Sequence, residues 1–478
     1  MTLKKIIAFA FIVIFLTSYT GISTNLKPQV QQFNGPGVFN ISDQNNLYLG
    51  SDWNFTGETF TGWLEIWNFS TSNFFNCTFL NSYIRIYNAT SSFANCTFNL
   101  TSFFKMYGAA NITLENSSLE IPSMHVYDTA DLMVNTCQLT IDEYLKINGT
   151  STVEFMSCPA INVSIDSTTD YMSISSNATF INSKLNLNVD LTTKPETLLT
   201  IAGSAQFTNS NVTVDGLFNW TKNIGAIFAI SGDAVFTNSR VTTYGLEVTG
   251  TVKFNESSTL HNTDLPMYLD FFEFGSNGLH RFGVKSNGIL TIENSAVTCP
   301  ASLLEVKDNA QLTLRDQSEL TMNLPIKISE DAQMTVEGNS VLNIAEIFVC
   351  NDSNSYYDTG RNGTGKLTVN SSTVYGTVVD VGVNTTVIVH NSNISTLGTY
   401  LFITGANQVT IYNNSITQNT TTPWNKTIYP TGNSTVNQTL YCIAALYNAN
   451  VFVNASTIYG VLAELDRPRS VLGSGHYK

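Results

Sequence analysis

Charge is scarce in this chain, and basic charge scarcer still. Lys and Arg number 22 against 36 Asp and Glu in 478 residues, a net charge of -14, and only 12% of all residues are charged. That balance argues against nucleic acid as a partner, because phosphate contacts need a basic face. After the N-terminus no segment shows helical periodicity over about 10–12 residues, and no second apolar run of about 18 residues follows to make another anchor. Metal-site spacings of His and Cys are missing, as are phosphate-binding glycine loops, so no cofactor is expected. What fills the space instead is Asn, Ser and Thr, which crowd every stretch.

The N-terminus is the exception. Lys4 and Lys5 precede an apolar run from Ile6 to Leu16, and small and polar residues follow, the order of a secretory signal peptide. No charge appears between Lys5 and Lys27, so an uncleaved N-terminal anchor, the one membrane contact expected, remains the alternative. The chain divides into this segment (1–24), an N-terminal cap segment (25–60), a repeat region (61–462) and a C-terminal tail (463–478). A secreted or cell-surface protein is expected. About 26 N-x-S/T sites agree with export and predict a glycoprotein. They include Asn68, Asn88, Asn111, Asn211, Asn370, Asn419, Asn425, Asn433 and Asn437, the last four in one polar excursion at 418–440. Turns rich in Asn, Ser and Thr create such sites without any glycan, and that reading stays open.

The repeat is a pattern of apolar-x-apolar-x-Asn-Ser-x-apolar. It appears as ITLENSSL (112–119), ATFINSKL (178–185), AQFTNSNV (205–212), LTIENSAV (290–297) and VIVHNSNI (387–394), with weaker units near 256, 316 and 338. Each unit holds two or three short runs of period-2 alternation rich in Val, Ile, Phe and Thr, which read as strands. Self-similarity at about 20 residues means a solenoid, and short strands with polar corners make it an all-β parallel β-helix, here of about 18 rungs of roughly 20 residues. The Asn suits a sharp corner with positive φ. On these motifs the chain resembles the right-handed parallel β-helix, or pectin-lyase-like, superfamily of secreted and cell-surface proteins. That resemblance speaks for fold and implies no particular activity, since such rods host lyases, hydrolases, adhesins and scaffolds.

Cys77, Cys96, Cys137 and Cys158 each follow the corner position, one rung apart as 77/96 and 137/158. Rungs about 4.8 Å apart bring the Cα atoms within disulfide range, so two bridges are expected in an oxidising compartment. The alternative is a column of buried thiols.

The first strands of five early units, WLEIW, YIRIY, FFKMY, SMHVY and YLKIN, align position by position. Their second and fourth residues should face the core, and the others should face out. The outward set gives Trp63, Tyr83, Phe103, Ser123 and Tyr144 in one column, and Trp67, Tyr87, Tyr107, Tyr127 and Asn148 in another. Glu65, Arg85, Lys105, His125 and Lys146 run between them. Aromatic faces stack on sugars and cations, and the basic residues would favour carboxylated or sulfated glycans. The candidate ligand-binding residues are therefore Trp63, Trp67, Tyr83, Arg85, Tyr87, Lys105, Tyr107, His125, Tyr127 and Lys146. Stacking that serves only the sheet is the competing reading.

Catalytic chemistry has only one weak candidate cluster, Asp264, Asp270, Glu273, His280 and Arg281, within 261–281. The functional expectation is thus a structural, adhesive or glycan-binding surface protein, with polysaccharide, surface glycan or other surface proteins as partners. A polysaccharide lyase or glycoside hydrolase of the pectin-lyase-like type is the alternative.

Overall fold

In the computed structural model the described residues run from 52 to 418 with gaps, the longest at 191–198, 218–227, 263–280 and 350–363, together with short strands between 32 and 40 and between 443 and 464. They form an all-β parallel β-solenoid. Three strands make a turn, as in Thr90–Ala94, Thr97–Asn99 and Phe103–Tyr107. The regular part has about 12 turns of about 22 residues, fewer and longer than the 18 rungs of roughly 20 expected. Excursions between strands lengthen the later turns. The hydrogen-bonded ladder of the first face counts 18 strands, from Gln32–Asn34 to Val451–Asn454. The second and third strands of each turn belong to one 33-stranded sheet.

Alternation explains the core. In Phe103–Tyr107, Phe104 and Met106 are fully buried while Phe103, Lys105 and Tyr107 are half-buried on the outside. Equivalent residues stack from turn to turn, so that rings form internal columns. Phe155, Phe180, Phe207, Phe236 and Phe254 follow one another at 4.8, 4.7, 4.8 and 4.7 Å. These spacings are the rise of the rod itself, about 4.8 Å.

A residue of positive φ, most often Asn and most often followed by Ser, makes the corner after the first-face strands. Asn76, Asn95, Asn116, Asn182, Asn209, Asn238, Asn294 and Asn391 all have φ between 44° and 53°. Glu256, Asp316 and Asn339 take the same conformation in the weaker units. The next Ser is buried and bonded twice over. Ser183 donates to the Ile181 carbonyl at 2.9 Å and accepts from the Cys158 N–H at 3.1 Å. Ser210 accepts from Ser183 N–H at 3.1 Å, and Ser239 from Ser210 N–H at 3.0 Å. A ladder of hydroxyls thus satisfies backbone groups that a bent strand would otherwise leave unpaired.

The cysteines occupy this ladder, and the expected disulfides are not there. Cys77, Cys96, Cys137 and Cys158 are buried and unbridged, and Cys299 is buried as well. Cys137 donates to the Asn135 carbonyl at 3.2 Å, as a corner Ser would, and Cys158 to Val134 and Met156 carbonyls at 3.5 Å. Side chains in a parallel column point the same way and stay about a full rung apart, whereas a bridge needs Cβ atoms about 3.8 Å apart. Burial pushes the Cys137 thiol up to about 11 and raises Cys158. Cys96 is raised chiefly by its hydrogen bond with the Cys77 thiol. Cys350 and Cys442 lie outside the described residues.

Candidate functional site

The five aligned strands lie side by side in the expected register. Glu65 pairs with Arg85, Arg85 with Lys105, Lys105 with His125 and His125 with Lys146. Ser173 follows Lys146 in the central column, which then continues through Thr200 and Ala229 without basic residues. Leu64, Ile66, Ile84, Ile86, Phe104, Met106, Met124, Val126, Leu145 and Ile147 are all fully buried beneath. The strip of outward residues is therefore one flat face of the solenoid, about 20 Å long over five rungs.

The aromatic columns form, but their rings lie across the rod rather than flat on it. Trp63 stacks on Tyr83 at 5.7 Å and 3°, and Tyr83 on Phe103 at 4.7 Å. In the other column Tyr107 stacks on Tyr127 at 5.2 Å, while Trp67 and Tyr87 meet at 5.0 Å with a 41° tilt. Where rings stack, as from Trp63 to Phe103 and between Tyr107 and Tyr127, each covers its neighbour's face, so edges and hydroxyls meet solvent. Faces become available only where a column breaks. The first column breaks at Ser123, between Phe103 and Tyr144.

The central column is graded in charge. Glu65 was expected to face solvent but is only 6% exposed, because three donors converge on it. They are Trp67 Nε1, Tyr83 OH and an Arg85 guanidinium nitrogen, each at 3.1 Å. Arg85 is thus neutralised, and it also lies 5.6 Å from both the Tyr83 and Phe103 rings. Lys105 and Lys146 have no carboxylate partner among the described residues. The Lys105 ammonium sits 3.9 Å over the Phe103 ring. Tyr83 covers the other face of that ring, so the ammonium lies on the side of the Ser123 gap. Desolvation, then the nearby Arg85 charge, lowers its pKa. Burial raises Tyr83 and Tyr107 and pushes Tyr127 up to about 12, so these hydroxyls stay protonated donors.

His125 was also expected outside and is instead 5% exposed, with Ser123 beside it at 3%. The imidazole leans into the gap, edge-on to Tyr144 at 4.6 Å, and its Nδ1 is hydrogen-bonded to Tyr127 OH. Its Nε2 is buried without a partner. Desolvation, with Lys105 and Lys146 adding to it, lowers its pKa to about 4.

The remaining sequence candidates are not gathered here. Asp264, Asp270, Glu273 and His280 lie outside the described residues, and Arg281 opens the strand Arg281–Val284. Among the described residues no group of three or more His, Cys, Asp or Glu is placed to hold a metal. Of the sequon asparagines, Asn111, Asn211 and Asn370 are exposed, and Asn88 is half-buried with its Oδ1 accepting from Ala109 N–H at 2.8 Å. Asn68, Asn419, Asn425, Asn433 and Asn437 lie outside the described residues. Sequence reasoning named Ser123 only as a member of its column. The signal was present: it is the one small residue in a run of aromatics. The chain matches no protein-family model and no curated protein.

Proposed function

We propose that this chain is an exported, glycosylated β-solenoid of the cell surface that binds anionic polysaccharide along the strip from residue 63 to 148. The observation that carries the reading is a pair of half-buried lysines, Lys105 and Lys146, left without carboxylates on a chain of net charge -14. Cations held without carboxylates beside aromatic rings favour a polyanion over the neutral or basic partners that the rest of the surface would suit. Tyrosine hydroxyls kept as donors and ring edges on either side supply the contacts that orient sugar hydroxyls. The pectin-lyase-like resemblance is one of fold and leaves this reading open without choosing it, and the rod suits a structural or adhesive setting.

The test is titration of the exported chain with neutral and acidic polysaccharides, reading tryptophan fluorescence and polymer length in one sample. Saturable quenching by acidic polymers of unchanged length is expected, weakened at least tenfold in the Trp67→Ala/Tyr87→Ala double variant. Shortened polymer would replace this reading with the lyase or hydrolase one, centred on 261–281. Absence of quenching would leave the columns as sheet packing.

A further inference from the structure

We infer that the break at Ser123 is an anion subsite, in which one carboxylate or sulfate of the polymer is held by Lys105, Lys146 and the Nε2–H of His125. The inference rests on the polysaccharide reading and adds where the acidic group sits.

Four observations meet at this point. Ser123 is the only small residue between Trp63 and Tyr171 in its column, so two rungs, about 9.6 Å along the rod, separate the backbones of Phe103 and Tyr144 that border it. Lys105 enters the gap from the Phe103 side, its ammonium against that ring. Lys146 lies one rung beyond His125, its ammonium 5.9 Å from the Tyr171 ring. Between them His125 presents a buried, unpartnered Nε2. A neutral imidazole that accepts the Tyr127 hydroxyl proton bond at Nδ1 carries its own hydrogen on Nε2, and so has a donor to offer.

Such an arrangement is costly when empty. A buried donor without an acceptor costs about 1–3 kcal/mol, and two ammonium groups flanking it repel a third charge. An oxyanion entering between the lysines removes both penalties together. It accepts from Nε2 and neutralises the ammonium pair, and its non-acidic neighbours in the chain then continue over the tyrosine edges on either side. A neutral sugar would relieve only the unpaired donor. The subsite therefore selects charge at one position of the polymer and leaves the rest of the strip to bind sugar generally.

Dextran, carboxymethyl dextran and dextran sulfate test this, since the three share a backbone and differ in the acidic group. Binding to the full exported chain is measured by calorimetry at one ionic strength, with His125 followed by nitrogen NMR of histidine-labelled protein. At least one charged polymer should bind tenfold or more tighter than dextran and shift the His125 Nε2 signal; which of the two does so identifies carboxylate or sulfate. Ser123→Tyr, which fills the gap without removing charge, and Lys105→Met/Lys146→Met should each abolish that advantage. Circular dichroism of both variants establishes that they fold, and His125→Gln serves as a third variant that keeps the gap open. Charged polymers that bind all three variants as they bind the wild type, with His125 unshifted, would overturn the subsite while leaving the polysaccharide reading intact. Failure of every polymer to bind the wild type would overturn both.

Discussion

His125 illustrates how a single side chain on this face is governed by its neighbours. Lys105 faces it from the strand before, Lys146 from the strand after, Tyr127 from its own strand and Tyr144 across the gap, and among the described residues no carboxylate reaches it. With a pKa of about 4 when folded, against an ordinary 6.5, it refuses a proton that the unfolded chain accepts. Folding stability should therefore be indifferent to this group above pH 6.5, decline as pH falls from 6.5 to 4, and level off below. The loss at full extent is up to about 3 kcal/mol. His125→Gln should flatten that decline, seen as a smaller drop in urea midpoint between pH 7 and pH 4.5 than in the wild type. An unchanged drop would mean that the imidazole is solvated and free to charge. Binding of dextran sulfate reverses the sign of the effect. An anion in the gap favours the imidazolium, so affinity should rise as pH falls from 7 towards 5, and this slope should vanish in the same variant.

At the scale of the element, the corner is the part most completely determined by local chemistry. Asn supplies the positive φ and Ser supplies both a donor and an acceptor, so a two-residue signature placed most corners, while the weaker units at Glu256 and Asp316 make theirs without the Asn. The alternation likewise placed every inward residue of the early third-face strands. What could not be read was how side chains settle along a column. Two cysteines in register looked like a bridge, but each thiol follows the hydrogen-bonding habit of the serines above and below it. Glu65 and His125 were rightly placed on the outer side, yet neighbours on adjacent rungs cover them, and that depends on rotamers. The same holds for the ring planes, whose stacking withdraws most aromatic faces from a ligand. The hydroxyl ladder makes its own prediction. Ser183→Ala leaves the buried Cys158 N–H without its acceptor and should cost about 1–3 kcal/mol. Ser183→Cys should cost clearly less, because Cys137 already accepts from Ser117 N–H at 3.4 Å in this ladder. Equal losses in the two variants, measured by denaturant unfolding, would show that the ladder contributes only packing.

The described turns form a stack in which each strand pairs with the strands of the turn before and the turn after. Its stability should then behave as a sum of turn and interface contributions rather than as one core property. Phe207 offers the cleanest probe. It is fully buried in the middle of a column, 4.7 Å from Phe180 and 4.8 Å from Phe236, so one substitution weakens two consecutive interfaces. Phe207→Ala should cost about 3–5 kcal/mol locally through lost contact and the cavity left behind. In a compact two-state domain that loss would lower the protection of every slow-exchanging amide alike. In this solenoid the loss should fall with distance along the rod. Hydrogen exchange should accelerate most across Asn177–Ile181, Ser204–Thr208 and Asp233–Thr237, the three paired strands that carry the phenylalanines. The strands Gln311–Arg315 and Gln333–Val336, several turns away, should keep wild-type protection. The aromatic strip at 63–148 lies on the other side of the substitution, its near end at Lys146 two rungs from Thr200 in the turn of Phe207 and its far end at Glu65 six, so its ligand affinity should be little changed in the same variant. Uniform loss of protection from one end to the other would instead establish a single cooperative unit, and with it a route by which events at the strip are felt along the whole rod.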